Sequence, residues 1–314
     1  MQPLVSVIMP AYNAEKYIGD AIQSILNQTY ETLELIIVED CSVDKTLEKI
    51  YSFRDKRIRL FKNVRNKGIA YSTNYGLEQS QGKYIALLDD DDVAFPERLQ
   101  LQVDYMEKHP EIDILGGMME IIDAEGKHFQ ACGVPRNNPK YIKAMLLFHN
   151  AGFGNGTAMI RKSFIEKNNL SYQNNCLGMQ DYKFYIDSSK CGNISTIDHL
   201  LLKCRIHEEN ETKRRKEKQG RERANLYAKF QRDSLKVSGF NLNEEYLSII
   251  NKILGETIQS CDSKEELLLL RDALCEILRQ GKEMNIDFYK ELEIVCKKEL
   301  VGAMMKFKME DWIV

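Results

Sequence analysis

Several absences narrow the class of this sequence. None of its eight cysteines forms a C-x-x-C pair, and none is matched to histidines at zinc-finger spacing. The chain therefore encodes neither a disulfide framework nor a structural zinc site. Its start, MQPLVSV, carries no basic, apolar leader, and free thiols in a reducing cytoplasm are expected. Proline, at 6, and glycine, at 18, are scarce among 314 residues, which excludes fibrous and low-complexity chains. Aliphatic runs such as Leu267 to Leu270 stop far short of the roughly 20 residues that a spanning helix requires. With 44 basic and 47 acidic side chains and a net charge of -3, the molecule as a whole has no electrostatic pull towards nucleic acid, and none is expected as a partner. Also absent are G-x-x-x-x-G-K-[ST] and G-x-G-x-x-G, the glycine-rich cradles for phosphate. A phosphate ligand would have to be neutralised by other means.

What is present is an alternation of strand and helix. LVSVIM (4–9) reads as a buried strand stopped by Pro10, and Ala14 to Asn27 then sets Tyr17, Ile18, Ala21, Ile22, Ile25 and Leu26 at helical spacing. The series continues with ELIIVED (34–40), a helix over 45–53, RIRLF (57–61), a helix over 69–78 and KYIALLD (83–89). This pattern predicts an α/β fold with a doubly wound, mostly parallel sheet whose ligand lies at the carboxyl ends of the strands. A helix to Lys108, strands over 112–122, 157–162 and 200–207, a helix over 139–149 and a segment over 180–190 that begins as a helix near Asp181 complete a first domain, 1–212. Residues 213–232 then hold nine Lys or Arg against Glu217 and Glu222, and helical stretches at 243–258, 263–280 and 286–308 follow. Residues 213–314 are thus read as a C-terminal helical region.

The strongest chemical signal is Asp89-Asp90-Asp91-Asp92, where the apolar strand runs out before Pro96. Adjacent carboxylates raise one another's pKa unless a cation or donor groups intervene. Hard oxygen ligands favour Mg²⁺ or Mn²⁺, held by one or two carboxylates together with substrate phosphates. A second acidic pair, Glu39 and Asp40, ends the second strand. In a doubly wound sheet both ends open on one crevice, so Asp40 can accept a hydrogen bond from a base N–H while the other cluster holds metal. Gly152-Phe153-Gly154-Asn155-Gly156 reads as a flexible loop or as part of an acceptor site.

Taken in order, these motifs resemble the inverting family 2 glycosyltransferases of the GT-A fold over roughly residues 3–212. Pro10-Ala11-Tyr12-Asn13 is similar to the family's P-x-Y-N, and Val38 to Asp44 to its V-D-D-x-S-x-D. Asn66-Lys67-Gly68 and Asn74-Tyr75-Gly76 are similar to its paired N-x-G, and Asp89 to Asp92 stand where it has D-A-D-D. The resemblance implies that Asp40 holds the base, that Pro10, Ala11, Tyr12, Asn13, Asn66 and Gly68 line the nucleotide, that Asp89 and Asp90 serve the ribose side, and that Asp89 and Asp91 bind metal. Gln180-Asp181 falls where the family has Glu-Asp, which makes Asp181 the implied general base although Gln180 removes a neighbouring charge. Arg205-Ile206-His207 resembles R-x-H, with His207 either at the metal or structural. Thr73 stands where the family often has Arg, so one phosphate contact is missing.

The reading is an inverting transfer of a sugar from a nucleotide-sugar, with UDP as the expected nucleotide, to a glycan or lipid-linked saccharide acceptor in surface polysaccharide or oligosaccharide synthesis. Two rivals remain: a phosphoacceptor receiver, from ELIIVEDCSVDKTLEKI, and a D-x-D-x-[TV] phosphatase, from Asp89 to Val93. The basic segment 213–232 is either a solvated helix face or a contact with anionic lipid at the inner face of the cell membrane or with a phosphate-bearing acceptor. The end around Trp312 is an interfacial anchor, a homodimer contact or core.

Overall fold

The computed structural model describes residues 2–132, 137–255 and 261–307. The end of the helix expected over 243–258, the residues beyond 307 and Trp312 with them lie outside the described residues. The chain divides into two compact units, one of residues 1–137 and 152–213, the other of residues 138–151 and 214–314.

In the first unit the strand–helix alternation is β1 (Val5–Ala11), α1 (Ile18–Leu26), β2 (Leu33–Glu39), α2 (Thr46–Ser52), β3 (Ile58–Lys62), α3 (Ile69–Gln79) and β4 (Tyr84–Leu87). β1 pairs in parallel with β2 and β4, and β2 with β3. All of β2 and almost all of β1 are buried, as expected of strands covered on both faces. After β4 come β5 (Val93–Ala94), α4 (Arg98–Lys108), β6 (Ile114–Ile122) and β7 (His128–Cys132). In the second unit lies α5 (Pro139–Met145); β8 (Met159–Arg161), α6 (Lys162–Asn168), α7 (Gln180–Ser189) and β9 (Ile194–Arg205) return to the first. The strands form one nine-stranded sheet in the order β3-β2-β1-β4-β8-β6-β9-β5, with β7 paired to β6. β8 runs antiparallel to β4 and β6, whereas β6 and β9 are parallel. The carboxyl ends of β1, β2 and β4 therefore open on one edge, where the parallel half meets the mixed half.

Three elements have no counterpart in the sequence reading: β5, β7 and α6. Each is short, and a two-residue strand such as β5 leaves no periodicity to detect. The helix expected over 139–149 is placed differently from its expected domain. It is α5, and Tyr141, Ala144, Leu147 and Phe148 pack in the core of the second unit. That unit is completed by α8 (Glu211–Val237), α9 (Glu244–Leu254), α10 (Lys264–Glu283) and α11 (Tyr289–Lys306). Ile250, Ile253, Leu270, Leu274, Ile277 and Leu292 fill its core, and Asn243 and Ser263 cap α9 and α10 through their side chains. α8 breaks at Gln219, whose φ of -135° and ψ of 31° are not helical.

Gly76 lets α3 lie directly on β1, since a Cβ there would stand 2.5 Å from Ile8 Cγ2. Gly19, on α1, has nothing within 4 Å of the same position. The two glycines separate helix propensity from packing. Gly19→Ala is expected to raise stability by about 0.5–1 kcal/mol, and Gly76→Ala to lower it by about 1–3 kcal/mol through overpacking. Urea denaturation of both variants checks this; a stabilised Gly76→Ala would show that α3 stands off from β1.

Candidate active site

The loops after β1 and β2 are bound together by side chain-to-backbone hydrogen bonds. Asn13 sits in the left-handed region with φ 53°, a conformation its short polar side chain tolerates. Its N–H donates to Ser42 Oγ at 3.0 Å, and its Oδ1 accepts from Val43 N at 3.0 Å. Asp44 accepts from Glu15 N at 3.0 Å and from Thr46 N at 3.0 Å, while Thr46 Oγ1 accepts from Ala14 N at 2.7 Å. Pro10 and Ala11 close β1, Ala11 O accepts from Asp40 N at 2.8 Å, and Tyr12 stands exposed at the rim. P-A-Y-N and V-E-D-C-S-V-D thus act as one scaffold.

Asp40 is buried, and its carboxylate accepts from Asn63 Nδ2 at 2.7 Å, Lys67 N at 2.9 Å and Gly68 N at 2.8 Å. It holds the loop that carries exposed Asn66. A carboxylate has about four acceptor positions, so about one is left for a ligand. Gly68, with φ 86°, lies in the left-handed region just ahead of α3, where a side chain would be strained. The second N-x-G has another task. Asn74 Nδ2 donates to Tyr172 O at 2.7 Å and its Oδ1 accepts from Tyr172 N at 2.9 Å, so α3 fixes a segment 98 residues away.

At the end of β4 each carboxylate meets a different part of the fold. Asp90 Oδ2 accepts from Tyr12 N at 2.9 Å. Asp91 Oδ2 lies 2.9 Å from His207 Nε2 and accepts from Asn210 Nδ2 at 2.9 Å. Asp92 Oδ1 accepts from Arg205 N at 2.9 Å. The Arg205 guanidinium lies 4.8 Å over the Tyr17 ring, and Tyr17 is packed against His207 with ring centroids 4.7 Å apart. Asn210, beside the R-x-H motif, shares the Asp91 oxygen and was not singled out from sequence.

These bonds do not offset the crowding of charge. Burial, with the charges of Asp91 and Asp181 adding to it, pushes Asp89 up to about 7 against the pull of Arg98. Burial and their neighbours raise Asp90 and Asp92 well above the ordinary carboxylate range. Arg98, fully buried, is drawn down to about 10 by burial against the pull of Asp92 and Asp89. Its Nη2 donates to Leu87 O at 2.8 Å, and Nη1 has no partner. Arg98 is the internal countercharge behind the acidic turn. From sequence it was indistinguishable from any charged residue near a helix start.

A cluster this short of positive charge fits a divalent cation. Asp89 and Asp91 offer hard oxygens and His207 a nitrogen. Among the described residues, no group of three His, Cys, Asp or Glu side chains converges as a metal site.

Asp181 lies in the first turn of α7. The N-cap position is Met179, so Asp181 is not the cap, although the helix dipole favours its charge. The turn before it holds Asn175, Leu177 and Gly178 at positive φ; a leucine in that region costs about 1–2 kcal/mol, so packing fixes the turn. The charge of Asp181 acts on Asp89, Tyr172 and Tyr185, so it lies near enough to the acidic turn to raise the Asp89 carboxyl. Gly156 lies there too, since a Cβ on it would stand 3.3 Å from Asp92 Oδ2 and 4.0 Å from Asp89 Oδ2. The glycine-rich loop thus borders the acidic turn.

A nine-stranded mixed sheet with an acidic crevice at the carboxyl ends of its parallel strands defines the GT-A class. S. aureus TarS 1–349 shares the fold, with a TM-score of 0.61 at 17% identity over 96% of this chain and 88% of that one. The family model "Glycosyl transferase family 2" matches residues 6–168. An uncharacterised glycosyltransferase of Haemophilus influenzae is 37% identical over 65% of this chain and 66% of its own length. The UDP-Glc:alpha-D-GlcNAc-diphosphoundecaprenol beta-1,3-glucosyltransferase WfgD of Escherichia coli is 35% identical over 62% of this chain and 73% of its own. This chain belongs to glycosyl transferase family 2 and is a glycosyltransferase. With that, the receiver and phosphatase readings fall.

The raised Asp89 pKa fixes a sign. Its folded value, about 7, lies above the ordinary value of about 3.9. The stability it contributes is complete below the unfolded value and is lost as pH rises through 7. The metal-free protein is expected to be more stable at pH 5 than at pH 8 by at least about 1 kcal/mol, with Asp89→Asn flattening the difference. Urea titrations at the two pH values check this; equal slopes in wild type and variant would count against it.

Proposed function

We propose that this chain transfers a sugar, with inversion, from a UDP-sugar to a hydroxyl of a glycan or lipid-linked saccharide, assisted by Mn²⁺ or Mg²⁺, in the synthesis of a surface polysaccharide or oligosaccharide. The observation that supports the reading is that the turn Asp89 to Asp92 meets His207 at 2.9 Å and feels the charge of Asp181, groups spread over more than a hundred residues of sequence. The nucleotide assignment has independent support. A solved S. aureus TarS structure is a complex with UDP-GlcNAc, and shares the fold at a TM-score of 0.61 and 18% identity. The E. coli relative is named for UDP-Glc and an acceptor on diphosphoundecaprenol.

In this reading Pro10, Ala11, Tyr12 and Asn13 lie along the nucleoside, Asp40 takes the base N–H on its remaining acceptor position, and Asn66 and Gly68 close that side. Asp89 and Asp90 face the ribose and diphosphate. Asp91, Asp89 and His207 would hold the cation, which when bound neutralises the charge of the departing nucleoside diphosphate. Asp181 accepts the acceptor's hydroxyl proton as the new bond forms at the anomeric carbon and the bond to the diphosphate breaks. One displacement inverts that carbon. Base catalysis of this kind supplies about 10² to 10⁴ in rate, and positioning the remainder.

The reading of location rests on the basic segment 213–232. Among the described residues no helix is long and apolar enough to cross a membrane. The nine basic residues within 213–232 support a cytoplasmic protein that rests on anionic lipid, at about 1 kcal/mol per residue near the surface.

Two substitutions test the chemistry. Asp91→Ala is expected to weaken UDP binding at least 10-fold with Mn²⁺ present and to leave it unchanged in EDTA, as read by calorimetry. Equal wild-type affinity for UDP with Mn²⁺ and with EDTA would remove the cation from the reading. Asp181→Asn keeps shape but cannot take a proton, so transfer should fall by about 10² or more while UDP affinity stays within about 2-fold. A variant with near wild-type turnover would assign the base elsewhere.

A further inference from the structure

Three polar side chains near the acidic turn, Asn155, Tyr172 and Tyr185, have no role in the scheme so far. Asn155 opens a short 3-10 turn, Asn155–Thr157, and its Oδ1 lies 3.0 Å from Tyr185 OH and 3.3 Å from Tyr172 OH. Both tyrosines are buried, at 0% and 2% exposure, and a buried phenol O–H needs an acceptor. Burial, with the charges of Asp181 and Asp89 adding to it, raises both phenols well above their ordinary range, so each keeps its proton and donates. The carboxamide oxygen, with two lone pairs, serves both; the amide nitrogen has no lone pair to offer them. The side chain is therefore held in one orientation from both sides. Its supports are themselves fixed, because Tyr172 stacks on Phe184 with centroids 4.3 Å apart at 4° and Asn74 clamps the backbone of residue 172.

Asn155 itself is only half-buried, and among the described residues its side-chain hydrogen bonds are the two that its Oδ1 accepts. The neighbouring Gly156 abuts Asp92 and Asp89, and the two phenols feel both Asp89 and Asp181. Asn155 thus stands beside the acidic turn, on two phenols that feel the charge of Asp181, which in the proposed function is next to the group in transit. We propose that Asn155 determines donor specificity: its carboxamide nitrogen, oriented by Tyr172 and Tyr185, donates a hydrogen bond to a hydroxyl of the sugar being transferred. A site built to pair a substrate hydroxyl discriminates more sharply than an apolar pocket, because the wrong sugar leaves a polar group unpaired.

The inference rests on the site being that of a UDP-sugar transferase, and the experiment separates the two. Binding of UDP, UDP-glucose and UDP-N-acetylglucosamine is measured with Mn²⁺, together with hydrolysis of whichever donor the wild type accepts. Asn155→Asp keeps the oxygen that serves the tyrosines and replaces the donor with an acceptor; Asn155→Ala removes both. Each is expected to lower kcat/KM for donor hydrolysis at least 10-fold while UDP affinity stays within about 2-fold. The Tyr172→Phe/Tyr185→Phe pair keeps ring volume but releases the carboxamide, and should reduce the wild type's preference between the two sugars at least 3-fold. That variant also decides the matter if Asn155→Ala does not fold. Unchanged kcat/KM, or equal losses for UDP and UDP-sugar, would overturn the inference and leave Asn155 a purely structural support. A wild type that binds no UDP compound would instead overturn the reading of the site, and the inference with it.

Discussion

Mutual repulsion among the carboxylates at the end of β4 is the constraint around which the first unit is organised. Four acids in succession are unfavourable wherever water is thin, and Asp92 is buried. The fold answers with a buried guanidinium, Arg98, and with donors drawn from distant segments: Tyr12 N, Arg205 N, Asn210 Nδ2 and His207. These contacts reduce the repulsion without removing it, and three of the acids keep raised pKa values. A site in that condition gains stability by binding positive charge, which is the physical ground for the cation in the proposed function.

Rigidity around this turn comes from short polar side chains in loops. Asn13, Ser42, Asp44 and Thr46 join the first two β–α loops, and Asp40 holds the third. The motifs that mark the family are in large part loop fasteners. Asn74 extends the same logic across the site by fixing Tyr172, which with Tyr185 orients Asn155. Positioning of reacting groups to within a fraction of an ångström requires such supports, since a loop otherwise samples many geometries.

The second unit has its own apolar core and its own capped helices. Its inclusion of residues 138–151 means that the chain leaves the first unit and returns to it. Every residue assigned to the chemistry above belongs to the first unit. Sequence change in the helical unit is therefore free to follow a different requirement, such as the choice of surface or partner.

The sequence by itself determined the alternation of β1 to β4 with α1 to α3, because period-2 and period-3.6 burial are local properties of a chain. It also determined the acidic turn, since four adjacent aspartates are visible without any fold, and the family, through motifs that keep their order. It missed β5, β7 and α6, which are too short to show a period, and it assigned α5 to the wrong unit, because an amphipathic helix does not state which core it faces. Only the tertiary structure decided that Arg98 is buried against the acids, that Asn210 shares Asp91 with His207, and that Tyr172 and Tyr185 both donate to Asn155. Those relations depend on strand order and on loops that span tens of residues. A carboxylate's environment is set by what folding brings within a few ångströms of it, and no spacing along the chain records that.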